Sequence, residues 1–200
     1  MLVAPLETAG HDVKLFVSTY TSENRSTHTN ILKNIRPRAV VYSDKTASRP
    51  YTTKLKSFDL IKKIGDIDVI ILCRSDIHFS KSPILNADLN KFNFLFPASG
   101  NKKWWDILRF TDDNFYVWPA RMTSQVEESM HACMRFRPEM TDTHALYPQL
   151  VLRVDESEIN FISEIPEGSD INSFYTLCKK SLARSEDAHP EVRDRFKHEI

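Results

Sequence analysis

The chain has 200 residues, of which 41% are hydrophobic, so it can bury a sizeable core and is not an intrinsically disordered polymer. Its 27 basic and 27 acidic residues cancel, which argues against a nucleic-acid binder that works through a phosphate-tracking surface. Three scattered cysteines and the lack of any long apolar run exclude a zinc ribbon, a disulfide scaffold and a membrane span, so we expect a cytoplasmic protein.

Hydrophobic periodicity and turn residues predict strands that alternate with helices at first and mix later. In chain order, the predicted elements are strand 13–19, helix 27–33, strand 38–42, helix 51–64, strand 68–73, strand 92–97, helix 104–110, strand 115–118, helix 123–136, helix 143–154 and strand 159–165.

The run at 68–73 (DVIILC) is the most apolar strand of the chain, and an uninterrupted run of this kind is typical of a strand buried on both faces. The pattern therefore predicts an α/β fold with a central mixed, mostly parallel, Rossmann-like sheet flanked by helices. We expect one domain over residues 1–184. Residues 185–200 are rich in charge and predict a surface helix or a linker to further domains.

Only four glycines occur, and they are not clustered, so the chain contains neither a P-loop nor a GxGxxG turn. Any phosphate group would have to be neutralised by a metal ion or by cationic side chains. Asp76 and His78 follow the apolar strand directly, and side chains two residues apart in an extended segment point the same way. A carboxylate and an imidazole suit Mn²⁺ or Mg²⁺ better than structural zinc. The alternative is a solvated turn in which Asp76 caps backbone amides.

The stretch DVIILCRSDIHF (residues 68–79) resembles the signature of GT-A-type glycosyltransferases, in which an apolar strand leads through R-x-D into a metal-binding DxD motif. Four further stretches are similar to segments of that family in the same order: HDVKLFVSTYTS, TTKLKSFDLIKKI, FTDDNFYVWPARM and INSFYTLCKK. The resemblance spans roughly residues 13–180 and is closest to glycosyltransferases of large algal (chlorella) viruses. His78 replaces the second acid of the DxD motif.

This resemblance implies a GT-A-like domain that transfers a sugar from a nucleoside-diphosphate sugar, with a UDP-linked hexose or deoxyhexose favoured. The acceptor would be a glycan, as on a glycoprotein. It favours retention of the anomeric configuration, although the residues themselves leave retention and inversion open. Asp76 and His78 would hold Mn²⁺ or Mg²⁺, which stabilises the departing diphosphate as a Lewis acid. No nucleic acid is expected as a partner.

Several polar residues are candidates for binding the nucleotide. Thr19 and Tyr20 end the first strand, where a base could stack, and Arg74 and Ser75 precede the metal motif. Arg49 and Lys54 supply positive charge. Taken singly, Arg49 and Lys54 are more often solvated surface residues, Arg74 could instead pair with an acid, and Tyr20 could be a loop anchor.

Asp112 and Asp113 precede the strand FYVW and are the candidate catalytic residues, with Asp113 preferred. The alternative is that Asp112-Asp113-Asn114 forms a turn. His144 is a further candidate metal ligand or a structural residue at a helix start. The faces of Trp104, Trp105 and Tyr116 suit either a sugar platform or the core, and Trp118 is assigned to the core.

Two other functions remain open. A metal-dependent phosphohydrolase or nucleotidyltransferase also uses acids at strand ends, although such enzymes usually need several, and only Asp44 lies near another strand end. A non-catalytic α/β binding module would leave Asp76 and His78 as ordinary turn residues.

Overall fold

The computed structural model describes residues 3–20, 32–33, 36–43, 50–74, 77–79, 82–97, 102–136, 143–163 and 175–177. The helices are α1 (Val3–Thr8), α2 (Pro50–Ile61), α3 (Lys102–Leu108), α4 (Thr123–Phe136) and α5 (Leu146–Leu150). The strands are β1 (Phe16–Tyr20), β2 (Ala39–Ser43), β3 (Val69–Cys73), β4 (Ile77–Phe79), β5 (Phe92–Phe94), β6 (Phe115–Pro119), β7 (Ile159–Phe161) and β8 (Tyr175–Leu177). Short 3₁₀ helices cover Pro83–Asn86, Ala120–Met122 and Glu156–Glu158.

The main sheet has four strands in the order β3-β6-β5-β7. β6 pairs antiparallel with both β3 and β5, whereas β5 pairs parallel with β7. Separately, β1 and β2 form a parallel pair and β4 and β8 an antiparallel pair. The expected α/β mixture is confirmed. The expectation of a mostly parallel central sheet is wrong for the main sheet, because a continuous apolar run predicts burial but does not fix the direction of the neighbouring strand.

Strand β6 is one of the two inner strands of this sheet, and all five of its residues are buried. Its side chains alternate between the two faces, as strand geometry requires. Tyr116 and Trp118 join one core cluster with Phe92 and Phe94, while Phe115 and Val117 join a second cluster on the other face. Burying one such side chain stabilises the fold by about 1.5–3 kcal/mol. The aromatic strand β6 therefore contributes to the core on both faces of the sheet.

Helix α2 links the β1–β2 pair to the main sheet. It contacts β1, β2 and α4, and the Ser18 hydroxyl donates a hydrogen bond of 2.6 Å to the Thr53 carbonyl. On its other side, fully buried Phe58 stacks on Trp118 with ring centroids 6.0 Å apart, and Trp118 stacks in turn on Phe92 at 5.8 Å. The helix is therefore fixed from both directions.

Most predicted elements are present with shifted ends. The predicted bounds of α4 are confirmed. Helix α5 begins at Leu146 rather than at residue 143, since Pro148 lacks an N–H and is tolerated only in the first turn of a helix. The pattern missed α1, β4 and β8, all of which are short. Of the predicted helix 27–33, only residues 32–33 lie within the described part.

Candidate functional site

Five polar residues from distant parts of the chain meet beside the start of β6. They are Lys54 on α2, Asp113 and Tyr116 at and just before β6, and Thr143 and His144 just before α5. We refer to them as the Lys54 cluster. The sequence pointed singly to Lys54, Asp113 and His144, and to Tyr116 as a possible sugar platform. It gave no signal that these residues touch.

Lys54 is the centre of this cluster. Its Nζ donates to the Asp113 Oδ2 at 3.1 Å, to the Asp113 carbonyl at 2.7 Å and to the Thr143 hydroxyl at 2.6 Å. It also lies 5.4 Å from the centroid of the Tyr116 ring. Three acceptors match the three protons of an ammonium group, and the side chain is only 11% exposed. The charge is thus fully compensated inside the protein.

Asp113 is held in its ionised form. Burial of its carboxyl group works against ionisation, but the charge of Lys54, then that of His144, and the hydrogen bond from Lys54 outweigh it and hold the pKa below the ordinary 3.8. Arg74 adds a smaller contribution of the same sign. A carboxylate with a lowered pKa binds positive charge well and accepts a proton poorly at neutral pH.

The imidazole of His144 is oriented by the backbone. Its Nδ1 lies 2.7 Å from the Thr111 carbonyl, and because a carbonyl can only accept, Nδ1 carries the proton of this hydrogen bond. The other ring nitrogen, Nε2, faces the Asp113 Oδ1 at 3.9 Å. This separation exceeds a direct hydrogen bond. The ring therefore presents Nε2 to the carboxylate at the least buried edge of the cluster.

Tyr116 and Thr143 complete the buried side of the cluster. Their hydroxyl groups lie 2.9 Å apart, and both residues are fully buried. Burial first, and then the charge of Asp113, raise the pKa of Tyr116 well above its ordinary value, so the phenol stays neutral. Neither Tyr116 nor Trp118 offers an aromatic face to a sugar, because both rings are buried in the core.

Asp112 has the turn geometry that was the alternative to a catalytic role. Its carboxylate accepts hydrogen bonds from the Asn114 backbone N–H at 3.1 Å and from the Asn114 side-chain amide at 2.7 Å, and it is only 2% exposed. The Asn114 carbonyl in turn accepts from the Arg74 N–H at 3.2 Å. Arg74, the first residue after β3 and the start of the segment that leads to the predicted metal motif, is therefore bonded to the residue next to Asp113.

The remaining predicted site residues are placed only in part. Thr19 and Tyr20 end β1, and nothing is described for the Tyr20 side chain. Arg49, Ser75 and Asp76 lie outside the described residues, and so does the side chain of His78, whose backbone belongs to β4. The paired metal ligands are thus an open prediction. The thiols of Cys73 and Cys133 are not joined in a disulfide, and Cys178 is outside the described part.

No three His, Cys, Asp or Glu side chains within the described ranges lie close enough to share a metal ion. Among the cavities lined by described residues, one of about 290 Å³ lies at Ala132, Arg135, Gln149 and Arg153, and another of about 530 Å³ lies beside α1. Neither is lined by a residue of the Lys54 cluster. Among the described helices, none has the length and apolar character needed to cross a bilayer. Comparison with protein families, with curated proteins and with solved structures finds no match to this chain.

Proposed function

We propose that the protein is a metal-dependent glycosyltransferase that moves a sugar from a nucleoside-diphosphate sugar, with a UDP-linked hexose or deoxyhexose favoured, to a glycan acceptor such as that of a glycoprotein. The proposal starts from the resemblance of residues 68–79 to the GT-A signature. It is supported by a convergence of three segments that the resemblance marks as functional: the helix of Lys54, the strand that ends before Arg74, and the segment of Asp113.

The contact between Lys54 and Asp113 carries this proposal. The two residues are 59 positions apart, and their side chains meet at 3.1 Å next to the chain that leaves β3. The family resemblance assigns Lys54 to the nucleotide side and Asp113 to the acceptor side. Their contact would put the two halves of the reaction next to each other, as sugar transfer requires.

The roles of the residues follow from their chemistry. A carboxylate and an imidazole, as in Asp76 and His78, are ligands that Mn²⁺ accepts, and the bound ion would neutralise charge on the departing diphosphate. Asp113, ionised and held by Lys54, is suited to stabilise positive charge that develops on the transferred sugar. This role agrees with the retention that the resemblance favours and departs from a role as general base.

Thermal melting with nucleotides and metal tests the proposal. UDP or GDP at about 100 times its Kd, with Mn²⁺, should stabilise the chain by about 2.7 kcal/mol and raise Tm by roughly 5–10 °C, and neither component alone should do so. Asp76→Asn should abolish this shift. Asp106→Asn, which removes one exposed carboxylate of α3, is the matched control and should keep it.

Other outcomes would replace the proposal. A shift with AMP or inorganic phosphate, but not with a nucleoside diphosphate, indicates the phosphohydrolase or nucleotidyltransferase. A full nucleoside-diphosphate shift in Asp76→Asn means that the metal site is assigned wrongly.

A second candidate, the non-catalytic α/β binding module, is favoured by one observation. All three donor positions of Lys54 are used internally, and Lys54 and Asp113 are only 11% and 8% exposed. A closed ion pair of this kind also occurs as a purely structural feature of cores. Absence of any nucleotide-dependent shift in the melting experiment would select this candidate.

A further inference from the structure

The cavity of about 530 Å³ beside α1 lies at the N-terminal ends of the two parallel strands β1 and β2. Five of its eight lining residues are charged: Glu7, Asp12, Lys14, Arg36 and Arg38. Its volume falls in the range of small-molecule pockets. The proposed function uses none of these residues.

Main-chain hydrogen bonds fix the walls of this cavity. The Arg38 N–H donates to the Leu15 carbonyl at 2.7 Å and joins the two segments that lead into β1 and β2. The His11 N–H donates to the Leu6 carbonyl at 3.1 Å and ties α1 to the first of them, through a turn in which Gly10 adopts φ 91°. The side chains therefore project from a pre-formed frame, which lowers the entropy that a ligand must overcome.

Among the residues that line the cavity, the three cations outnumber the two acids. The acids Glu7 and Asp12 are exposed, and the side chain of Asp12 is 80% exposed against 28% for its ion-pair partner Lys14 at 3.3 Å. Arg36 and Arg38 are exposed as well, so both guanidinium groups are open to an anion from solvent, whereas Lys14 is half-buried. Within the described residues, neither Arg36 nor Arg38 has an acid within ion-pair distance.

Arg36 and Arg38 stand two positions apart on a constrained stretch of backbone, and both line the cavity. Arg36 adopts φ 46°, a left-handed conformation that costs a non-glycine residue free energy and persists only where the surroundings impose it. Pro37 follows it and fixes the backbone between the two arginines. A guanidinium group without an acidic partner has free N–H donors in a planar fork that matches the oxygens of a phosphate group.

We propose that this cavity binds the phosphate group of a small anionic molecule, without a metal ion, through Arg36, Arg38 and Lys14. The volume exceeds what a single phosphate ion fills, so a phosphate ester should bind more tightly than the free ion.

Titration of the full-length chain, followed by ¹H–¹⁵N NMR in the presence of EDTA, tests this site. The probes are inorganic phosphate, glycerol 3-phosphate and citrate. We expect saturable shifts at Arg36, Arg38 and Lys14 with both phosphates, and no saturation with citrate. Arg36→Gln and Arg38→Gln should each weaken binding about tenfold, the loss expected for one charge-assisted hydrogen bond.

Two controls separate the site from general charge. Arg121→Gln removes a guanidinium group that pairs with Glu158 elsewhere on the surface, and it should leave binding unchanged. Asp12→Asn removes the carboxylate that pairs with Lys14, which leaves the Lys14 charge free for the phosphate group, and it should tighten phosphate binding. Linear shifts without saturation, wild-type affinity in either arginine variant, or saturation by citrate would overturn the proposal. Because EDTA removes metal, and because Asp76→Asn should not affect these shifts, the result is independent of the glycosyltransferase proposal.

Discussion

Two ion pairs in this protein differ in opposite ways: one has the shorter contact but is exposed, and the other has the longer contact but is buried. Arg121 and Glu158 approach to 2.6 Å, but their side chains are 57% and 39% exposed. Lys54 and Asp113 are 3.1 Å apart and only 11% and 8% exposed. Solvent screens the charges of the shorter pair. The charges of the longer pair are buried, so each needs the other to compensate it. Burial, rather than the distance between the charged atoms, should therefore decide how much each pair contributes to stability.

The largest effect should follow loss of one partner of the buried pair. Lys54→Met or Asp113→Asn should each reduce the free energy of unfolding by about 3–5 kcal/mol, because the remaining charge stays buried without its partner. Urea denaturation measures this loss. The double variant Lys54→Met/Asp113→Leu should lose much less than the sum of the single variants. Single losses below about 1 kcal/mol would contradict the comparison.

A smaller loss is expected at Thr143, which accepts the hydrogen bond from Lys54 and lies against the Tyr116 hydroxyl. Thr143→Val keeps the shape but removes both interactions, and it should cost about 1–3 kcal/mol in urea denaturation. Thr143→Ser keeps the hydroxyl group and is the matched control. Equal losses in the two variants would assign the effect to packing instead of hydrogen bonding.

The pH dependence of stability should show the same contrast. The folded-state pKa of Asp113 lies below the ordinary 3.8, so its contribution is present above that value and is lost as the pH falls through the folded-state pKa. The difference in unfolding free energy between the wild type and Asp113→Asn should therefore be constant near neutral pH and shrink below about pH 4. A difference that stays constant down to pH 2 would contradict the assignment.

The smallest effect should come from the exposed pair. Arg121→Gln or Glu158→Gln should change the free energy of unfolding by about 0–1 kcal/mol, and 1 M NaCl should remove most of this difference. The same salt concentration should leave the loss in Lys54→Met nearly unchanged. A salt-sensitive loss at Lys54 would mean that water reaches the cluster.

The sequence predicted which segments form strands and helices better than it predicted which strands pair with each other. The run at 68–73 contains a strand, as its apolar side chains indicate, but among the described strands β3 pairs with β6 alone and is less buried than β6. The aromatic strand β6 is buried throughout and is an inner strand instead. Both patterns predict a strand, and which of them is an inner strand depends on packing against α2 and β5, contacts that periodicity does not encode.

The same limit applies to the candidate site. Lys54 and Asp113 could be selected from the sequence because each stands in a segment that resembles a glycosyltransferase segment. Their contact spans 59 positions and depends on the stacking of Phe58 on Trp118, so no local pattern predicts it. Thr143 gave no signal, since a threonine before a helix usually caps it. Here its hydroxyl group bonds Lys54 and Tyr116 instead.

The stacked position of Trp118 provides a built-in optical probe. Its indole is sealed between Phe58 and Phe92 with no exposed surface, so its fluorescence should lie at short wavelength and shift to the red when water enters this layer. Replacing Trp104 and Trp105 by phenylalanine would leave a single emitter. Phe58 belongs to the helix that carries Lys54. The emission wavelength of Trp118 would therefore report directly whether that helix is still packed against the sheet.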